Sequence, residues 1–420
     1  MKSKEYLNFI LFPLGKFISI FGTSIYTFAI GLYVLKLTGS GVNFANTLVL
    51  GIMPIILFNP IGGVMADRFN KKNLVISMDI LNGILFLLLY FISRVYGLNI
   101  IMIYISTFLN RTFTTIFATS LEVAIPNMVS DDKLVNINST SKIIDSLSLI
   151  IGPVIGGIVF TFMDIHMFIL FNGISFIISA LCEMFIDFRY NYVDPIEEKK
   201  GVNLKKDMKE AFIYIKSEKN IINIFRLLIV INFFISLSIT VPLPFIVNNV
   251  LKLHSKSFGI IEGSFSLGII IGAIFVNNTI EKIEYWRLLR LMSIFMSVSM
   301  ILVGIPVIRQ IQLSEIFYLI YYIGVMISFG IIVSFIDIPF IYIIQKDIPS
   351  ELRGRVLSIV ISVGKAIAPI GLILSGGLLD KIPVYILPIG GGVLIIIFNL
   401  VVLNSFEGKY DKELDGQHTK

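Results

Sequence analysis

Eight ionisable side chains lie inside long apolar stretches of this 420-residue chain, where an ionised group is costly. A charge at the centre of a hydrocarbon layer costs about 3 kcal/mol even on permissive scales, so each of these residues is a functional hypothesis. Carboxyl groups in such surroundings can take up and release protons. The eight residues are Lys16, Asp79, Arg111, Glu122, Asp145, Glu262, Asp337 and Lys365.

Position within the apolar stretches separates these residues. Asp79, Glu122 and Asp145 lie within about two helical turns of one end, where a gating or interfacial role is an alternative to proton transfer. Arg111 and Lys365 lie near the middle of their stretches, out of reach of either interface. Those two most need a cavity or an acidic partner.

The second half of the chain contributes two further carboxylates, Glu262 and Asp337, and we expect both to be buried. Arg111 is expected to orient a proton relay in the first half. The exchanged proton is expected on one of four carboxylates, among which the sequence does not choose: Asp79, Asp145, Glu262 or Asp337.

Other chemistries lack the residues that they need. The single cysteine, Cys182, cannot form an intramolecular disulfide, and the three histidines lack metal-ligand spacing. No phosphate-binding G-x-x-x-x-G-K-[ST] loop occurs, and no G-x-G-D aspartyl motif. No histidine is placed to activate Ser24 or Ser264. We therefore predict no catalytic residue, no metal site, no cofactor and no enzymatic activity.

Composition indicates what surrounds these charges. Hydrophobic residues make up 56% of the chain and charged residues 15%, against roughly 45–50% and 25% in soluble domains. Such a chain cannot cover its apolar surface in water, which excludes soluble, disordered and fibrous proteins. The apolar stretches are continuous, as from Val393 to Phe398, so they predict helices rather than the alternating strands of a barrel.

Twelve apolar stretches predict an all-α integral membrane protein, because a spanning helix needs about 20 residues. We expect two pseudo-symmetric bundles of six helices, and weak similarity between the two halves supports a duplication. The predicted spans are 10–35, 42–65, 73–93, 98–123, 143–161, 167–186, 221–247, 257–278, 286–307, 314–344, 355–379 and 383–404.

A long polar stretch separates the two groups of six helices. It predicts an N-terminal bundle at 1–186, a basic linker at 187–220, a C-terminal bundle at 221–404 and a polar tail at 405–420. Apolar residues recur at helical spacing in the linker, which predicts an amphipathic helix on the inner leaflet, with a solvated helix as the alternative. They are Leu204, Met208, Ala211, Phe212 and Ile215.

The distribution of basic residues predicts the orientation of the chain. Most of the 34 lysines and arginines lie in the N-terminus, in every second loop and in the C-terminal tail. Cytoplasmic loops collect positive charge, so both termini are expected in the cytoplasm. Because the net charge of +6 is spread over one membrane face, we expect no nucleic-acid partner.

The turn between the second and third predicted helices reads GVMADRFNKK, from Gly63 to Lys72. It fits the pattern G-x-x-x-D-R-x-x-[RK]-[RK]. This pattern is a signature of the major facilitator superfamily, which the chain therefore resembles. The twelve spans, the six-plus-six split, the basic central loop and Arg111 in helix four extend this resemblance over nearly the whole chain.

The resemblance implies a conformational latch in this turn. Asp67 would face the positive end of a helix, and the basic residues would pair with acidic helix ends. Glu122 is the expected partner of Arg68 or Lys71. The predicted latch residues are Gly63, Asp67, Arg68, Lys71, Lys72 and Glu122.

A second motif, GPVIGG, lies in the fifth predicted helix. It resembles the helix-five motif of exporters in this superfamily, where small residues permit close helix contact and a proline bends the helix. It predicts helix packing and favours export. Its packing residues are Gly152, Pro153, Gly156 and Gly157.

Four more segments resemble the macrolide-efflux and enterobactin-exporter group: Thr38 to Ser40, Asp67 to Asn70, Ile125 to Val129 and Leu352 to Val356. This resemblance implies outward transport of antibiotics, siderophores or other amphipathic molecules in exchange for protons, and hence drug resistance. The segment from Asn277 to Lys282 departs from the latch pattern, so the latch is expected in the first half alone.

We therefore expect a secondary active transporter of the plasma membrane that works by alternating access and uses the proton gradient as its energy source. Its partners would be an amphipathic small-molecule substrate and membrane lipid, with no obligate protein partner. One alternative is a lipid or metabolite transporter with import or facilitative direction. Others are a transport-inactive sensor, a scramblase or, disfavoured by the missing motifs, an intramembrane enzyme.

Overall fold

The computed structural model describes residues 2–130, 133–190, 212–280, 285–308, 313–347, 356, 359, 364 and 366–403. Within these ranges every regular element is a helix. Ten helices are long and apolar enough to cross a membrane, and two shorter apolar helices are Ala368–Leu379 and Ile386–Val401. The predicted all-α membrane fold is confirmed.

The main helices are numbered here in chain order. Their bounds are α1 (Lys2–Thr38), α2 (Gly41–Arg68), α3 (Lys71–Tyr96), α4 (Ile100–Ala124), α5 (Leu134–Phe162), α6 (Ile165–Met184), α7 (Lys219–Ile235), α8 (Ser255–Ile280), α9 (Tyr285–Gly304), α10 (Glu315–Asp347), α11 (Ala368–Leu379) and α12 (Ile386–Phe398).

α1 begins well before the predicted start at residue 10. The added turns contain polar residues that find partners: Glu5 accepts a hydrogen bond from the backbone N–H of Ser130 at 2.9 Å, and Asn8 donates to the carbonyl of Met128 at 2.8 Å. Hydrophobicity alone does not reveal such partners. α5 likewise begins at Leu134 rather than at 143.

The helix predicted at 221–247 is interrupted. α7 is followed by a π turn (Ser236–Thr240), a short α-helical turn (Pro242–Phe245) and a second π turn (Ile246–Val250). Pro242 and Pro244 lack an amide hydrogen, so the regular hydrogen bonding of an α-helix cannot continue through them. The two prolines could have predicted this break.

The chain divides into two compact units. The N-terminal unit comprises Met1–Gly39, Asn43–Lys199 and His254–Gly263, and the C-terminal unit comprises Ser40–Val42, Lys200–Leu253 and Ser264–Lys420. In the N-terminal unit α1 packs on α5 and α6, and α3 packs on α4 and α6. In the C-terminal unit α9 packs on α10 and α12.

Parts of the predicted organisation lie outside the described residues. These are most of the linker, including Leu204, Met208 and Ala211, and the tail after residue 403. Phe212 to Ser217 is helical, with Phe212 exposed and Ile215 buried. The domain boundaries and the amphipathic linker helix stay predictions.

Two glycines allow α3 and α6 to approach closely within the N-terminal unit. A side chain at Gly83 would collide with α6, and a Cβ at Gly173 would lie 3.2 Å from the Cβ of Phe86. Contact this close leaves no room for water between the helices. Asp79 on α3 and Glu183 on α6, the same two helices, are fully buried.

Candidate functional site

Asp79 on α3, one of the predicted proton carriers, is entirely buried. The hydroxyl of Ser19 on α1 donates a hydrogen bond to Oδ1 at 3.2 Å. Among the described residues Oδ2 has no hydrogen-bond partner. One of the two oxygens of this carboxyl group is therefore without a partner, which is costly for a buried polar atom.

Glu183 on α6 is a second buried carboxyl group, which the sequence analysis missed. It is 2% exposed, and its Oε2 also lacks a partner among the described residues. Asp79 lies close enough to act on it electrostatically. Glu183 stands near the end of its predicted span, where a carboxylate ordinarily reaches water. Its spacing from Ser179 and Asn172 on one helical face is the signal that could have identified it.

Lys16 and Asp145 form an ion pair between α1 and α5. The Lys16 ammonium lies 2.9 Å from Oδ1 of Asp145 and also donates to the carbonyl and hydroxyl of Ser141. The side chain of Lys16 is 7% exposed and that of Asp145 32%, so the lysine is buried and the carboxylate is partly exposed. The sequence predicted both charges but not their pairing. The ammonium of Lys16 balances the negative charge of Asp145.

Arg111 on α4 is half-buried and faces α1. Its Nη2 donates to Oγ1 of Thr27 at 2.8 Å, and a Cβ at Gly51 on α2 would lie 3.9 Å from its Nε. Among the described residues no carboxylate forms an ion pair with it. Arg111 is thus a positive charge available to a carboxylate or another anion.

The carboxylates of α8 and α10 are not enclosed as predicted. Glu262 is half-buried and has no polar partner among the described residues, and Asp337 is exposed, with Tyr285 near enough to interact electrostatically. The expectation of burial is not met at Asp337, whose side chain is exposed on α10. Lys365 lies outside the described residues.

The predicted latch is described in part. α2 runs through Gly63 and Asp67 to Arg68, but the side chains of these residues lie outside the description. Lys72 donates to the carbonyls of Met184 and Ile186 at 2.6 and 2.9 Å, which places a positive charge at the C-terminal end of α6.

Glu122 and Lys71, proposed as latch partners, form no ion pair with each other. Glu122 lies on an exposed face of α4, and Lys71 is half-buried at the start of α3. Glu122 is therefore not paired with Lys71 in this structure, and its pairing within the latch stays a prediction. The alternative partner of Glu122, Arg68, is not described beyond its backbone.

The small residues of the GPVIGG motif lie at close helix contacts in the N-terminal unit. Gly152 approaches Ser24, and a Cβ at Gly156 would lie 2.9 Å from the ring of Phe28. A Cβ at Gly157 would lie 3.2 Å from the Cα of Gly259. Larger residues would force these helices apart. Pro153 lies within α5 between these contacts.

Polar contacts at the start of α1 join it to the segment after α6. Lys4 Nζ lies 3.0 Å from Oδ2 of Asp187, and the backbone N–H of Asp187 donates to Oδ1 of Asn8 at 2.8 Å. Burial works to raise the pKa of Asp187. Hydrogen bonds from Lys4 and from the backbone N–H of Arg189, with the charges of Lys4 and Lys72, outweigh burial and lower this pKa.

Comparison with known proteins identifies relatives over the full chain. Macrolide efflux protein A of Streptococcus pyogenes is 24% identical over 404 residues, covering 94% of this chain and 95% of the relative. Macrolide efflux protein A of Enterococcus faecalis is 22% identical over 332 residues, covering 77% of this chain and 97% of the relative.

The fold is shared with solved transporters. The crystal structure of a bacterial homologue of the iron transporter ferroportin, in its inward-facing state, matches with a TM-score of 0.69 at 14% identity. The match covers 95% of this chain and 98% of that structure. The sequence model of the Major Facilitator Superfamily matches residues 14–371. This chain is therefore a multi-pass membrane transporter that belongs to the Major Facilitator Superfamily.

Proposed function

We propose that the protein exports amphipathic organic molecules across the plasma membrane in exchange for protons, with macrolide antibiotics as the first substrates to test. The observation that carries this proposal is the full-length similarity to macrolide efflux protein A, which covers 94% of this chain. A shared architecture over that length includes every helix that would surround a substrate.

Buried charge supports the coupling to protons. Asp79 and Glu183 are carboxyl groups withdrawn from water, and Arg111 is a positive charge without a carboxylate partner among the described residues. Groups of this kind can change protonation or bind an anion during transport. The sequence contains no phosphate-binding loop. The proton gradient is therefore the proposed energy source, and no cofactor is required.

The direct test is the accumulation of labelled macrolides and siderophores in cells with and without the protein. We expect the protein to lower macrolide accumulation and a protonophore to abolish that difference. Accumulation that does not change across the panel would contradict the proposal. Increased accumulation would support import by the same fold.

Orientation needs a separate experiment. We propose that both termini are cytoplasmic, because most basic residues lie in loops on the side of the N-terminus. Cys182 is the single cysteine, so a Cys182→Ser background accepts one reporter cysteine at a time. A reporter at Tyr96, which is 77% exposed, should react with an impermeant reagent in intact cells, and one at Lys4 should not. The reverse pattern would invert the topology.

A further inference from the structure

We propose that Asp79 and Glu183 form one proton-binding site within the N-terminal unit, in which the two carboxyl groups share an exchangeable proton. A role in energy coupling rests on the proton-coupled transport proposed above. The existence of the site does not rest on that proposal, because a bound proton can be measured without transport.

Three helices enclose the pair. Ser19 on α1 binds Oδ1 of Asp79 at 3.2 Å, and a Cβ at Gly15 on α1 would lie 3.7 Å from the Cγ of Glu183. The hydroxyl of Ser179 on α6 lies beside both carboxyl groups. Asp79 is 0% and Glu183 2% exposed, so the site is closed to water in this conformation.

Two ionised carboxylates cannot remain together in a site buried between helices unless a positive charge lies beside them. Burial opposes each charge, and the second carboxylate opposes the first. Two lysines on the enclosing helices are engaged elsewhere: Lys16 binds Asp145, and Lys72 binds the carbonyls of Met184 and Ile186.

Other charged groups on the packed helices also have partners or positions elsewhere, and Lys71 stands at the start of α3, eight residues before Asp79. Arg111 on α4 donates to Thr27, and Glu122 on the same helix is exposed. On α1, Glu5 binds Lys133 at 3.0 Å. Cys182, the neighbour of Glu183, can add only a negative charge. A proton on the pair is the remaining way to balance it.

Hydrogen bonding also indicates a protonated carboxyl group. Ser179 has a single hydroxyl hydrogen, for which the carbonyl of Gly15 at 2.9 Å and the two neighbouring carboxyl groups compete, so it cannot satisfy all of these acceptors. A neighbouring carboxylic acid would supply the donor that this arrangement lacks. Oδ2 of Asp79 and Oε2 of Glu183, both without partners among the described residues, are the atoms on which the proton would reside.

A metal ion fits the site less well than a proton does. Hard cations take about six oxygen ligands, whereas the atoms described around the pair are the two carboxyl groups and the hydroxyls of Ser19 and Ser179. A proton needs neither additional ligands nor space. The helices can therefore pack closely around the pair.

Infrared titration of purified protein in lipid nanodiscs, without substrate, tests the site directly. Wild-type protein should show a protonated-carboxyl band that decreases as pH is raised. The double variant Asp79→Asn/Glu183→Gln should lose this component, and each single variant should shift its midpoint, because the two groups titrate as a coupled pair. Glu122→Gln, which alters an exposed acid on the packed helix α4, should leave it unchanged.

Two results would overturn the proposal. One is an unchanged titration in a folded double variant, and the other is a carboxylate signal that depends on sodium instead of pH. If the double variant fails to fold, Ser179→Ala provides the second measurement. It removes the hydroxyl beside the pair and should shift the midpoint, and an unshifted midpoint in that variant would also contradict the proposal.

Transport assays separate this site from the function proposed above. Asp79→Asn and Glu183→Gln should lower gradient-driven export about tenfold or more while leaving substrate exchange without a gradient intact. If wild-type protein exports substrate with no dependence on the gradient, proton coupling fails, whereas the infrared result still decides whether the pair binds a proton. If coupling is present and both variants retain it, the coupling role of this pair is wrong.

Discussion

Both units of the molecule join helices at close glycine contacts, and the N-terminal unit adds charged groups between its helices. The ion pair of Lys16 and Asp145 lies in the N-terminal unit, as do the buried Asp79 and Glu183. In the C-terminal unit a side chain at Gly330 on α10 would collide with the backbone of α8. The hydroxyls of α10 there donate to backbone carbonyls, as from Ser334 to Ile269 at 2.7 Å and from Tyr321 to Leu302 at 2.7 Å.

This difference bears on mechanism. A proton or an ionic substrate can change a charged contact, but neither can change a contact between two backbones. The described chemistry of the N-terminal unit is therefore suited to sensing charge. The glycine and hydroxyl contacts of the C-terminal unit instead provide steady packing. Each of the following predictions alters one kind of contact and leaves the other intact.

The largest expected effect on stability is at the ion pair of the buried Lys16 with Asp145. Asp145→Asn should lower the free energy of unfolding by about 3 kcal/mol, because it leaves the Lys16 ammonium buried without a counter-ion. Thermal unfolding in detergent would measure the loss. The double variant Lys16→Met/Asp145→Leu should recover most of it, and Lys142→Met, an exposed change on the same helix, should have little effect. A double variant no better than Asp145→Asn would contradict the charge argument.

The next effect concerns backbone packing in the C-terminal unit. Gly330→Ala should destabilise the protein by about 2 kcal/mol, because its Cβ would collide with the backbone of α8 and push the helices apart. Gly324→Ala is a control on the same helix, where no atom lies within 4 Å of the added Cβ. It should be neutral or stabilising by up to about 1 kcal/mol. Equal effects in unfolding assays would show that this contact is not close.

Arg111 tests whether an available charge in the N-terminal unit serves transport. Arg111→Gln should reduce export about tenfold, or about 1.4 kcal/mol, with little change in stability. Arg226→Gln removes an exposed charge from α7 and should leave transport unchanged. The measurement is the initial rate of substrate efflux from cells loaded with substrate, determined for both variants. Loss of transport in both would point to net charge and not to the position of Arg111.

The smallest expected effect is at the exposed pair of Lys4 and Asp187. The pKa of Asp187 is lowered in the folded protein, so its ionised form contributes stability above the unfolded pKa of about 3.9 and loses it as pH falls through the folded pKa. Asp187→Asn should cost about 0.5 kcal/mol near neutral pH, because Lys4 is 70% exposed. The stabilities of the wild type and Asp187→Asn should begin to converge as pH falls below about 3.9 and should meet below the folded pKa of Asp187. In a Lys4→Met background the cost should shrink, and an undiminished cost would exclude the pair as its cause.

Local signals in the sequence predicted much of the fold. Continuous apolar stretches predicted the positions of the helices, because a backbone in lipid must satisfy its own hydrogen bonds. The apolar stretches did not predict the helix bounds correctly where tertiary contacts or prolines also act. α1 extends to Lys2 because Glu5 and Asn8 find partners on distant segments, and the helix after Arg226 is broken by Pro242 and Pro244.

The candidate site was predictable residue by residue but not as an arrangement. Asp79, Asp145 and Arg111 were identified because charge in an apolar stretch is costly. Glu183 was not predicted as a site residue, because a carboxylate near a helix end ordinarily reaches water. The pairing of Lys16 with Asp145 joins residues 129 positions apart, and no local pattern connects them.

The sequence by itself therefore determined the membrane environment, the helical fold, the Major Facilitator Superfamily and the set of charges that need an explanation. Each of these follows from composition or from residues close together in the chain. The tertiary structure alone decided which charges are paired, which are exposed and which two carboxyl groups meet. Those outcomes depend on the packing of α1, α3, α5 and α6, and burial and electrostatic energy depend on distance in space and not on distance along the chain.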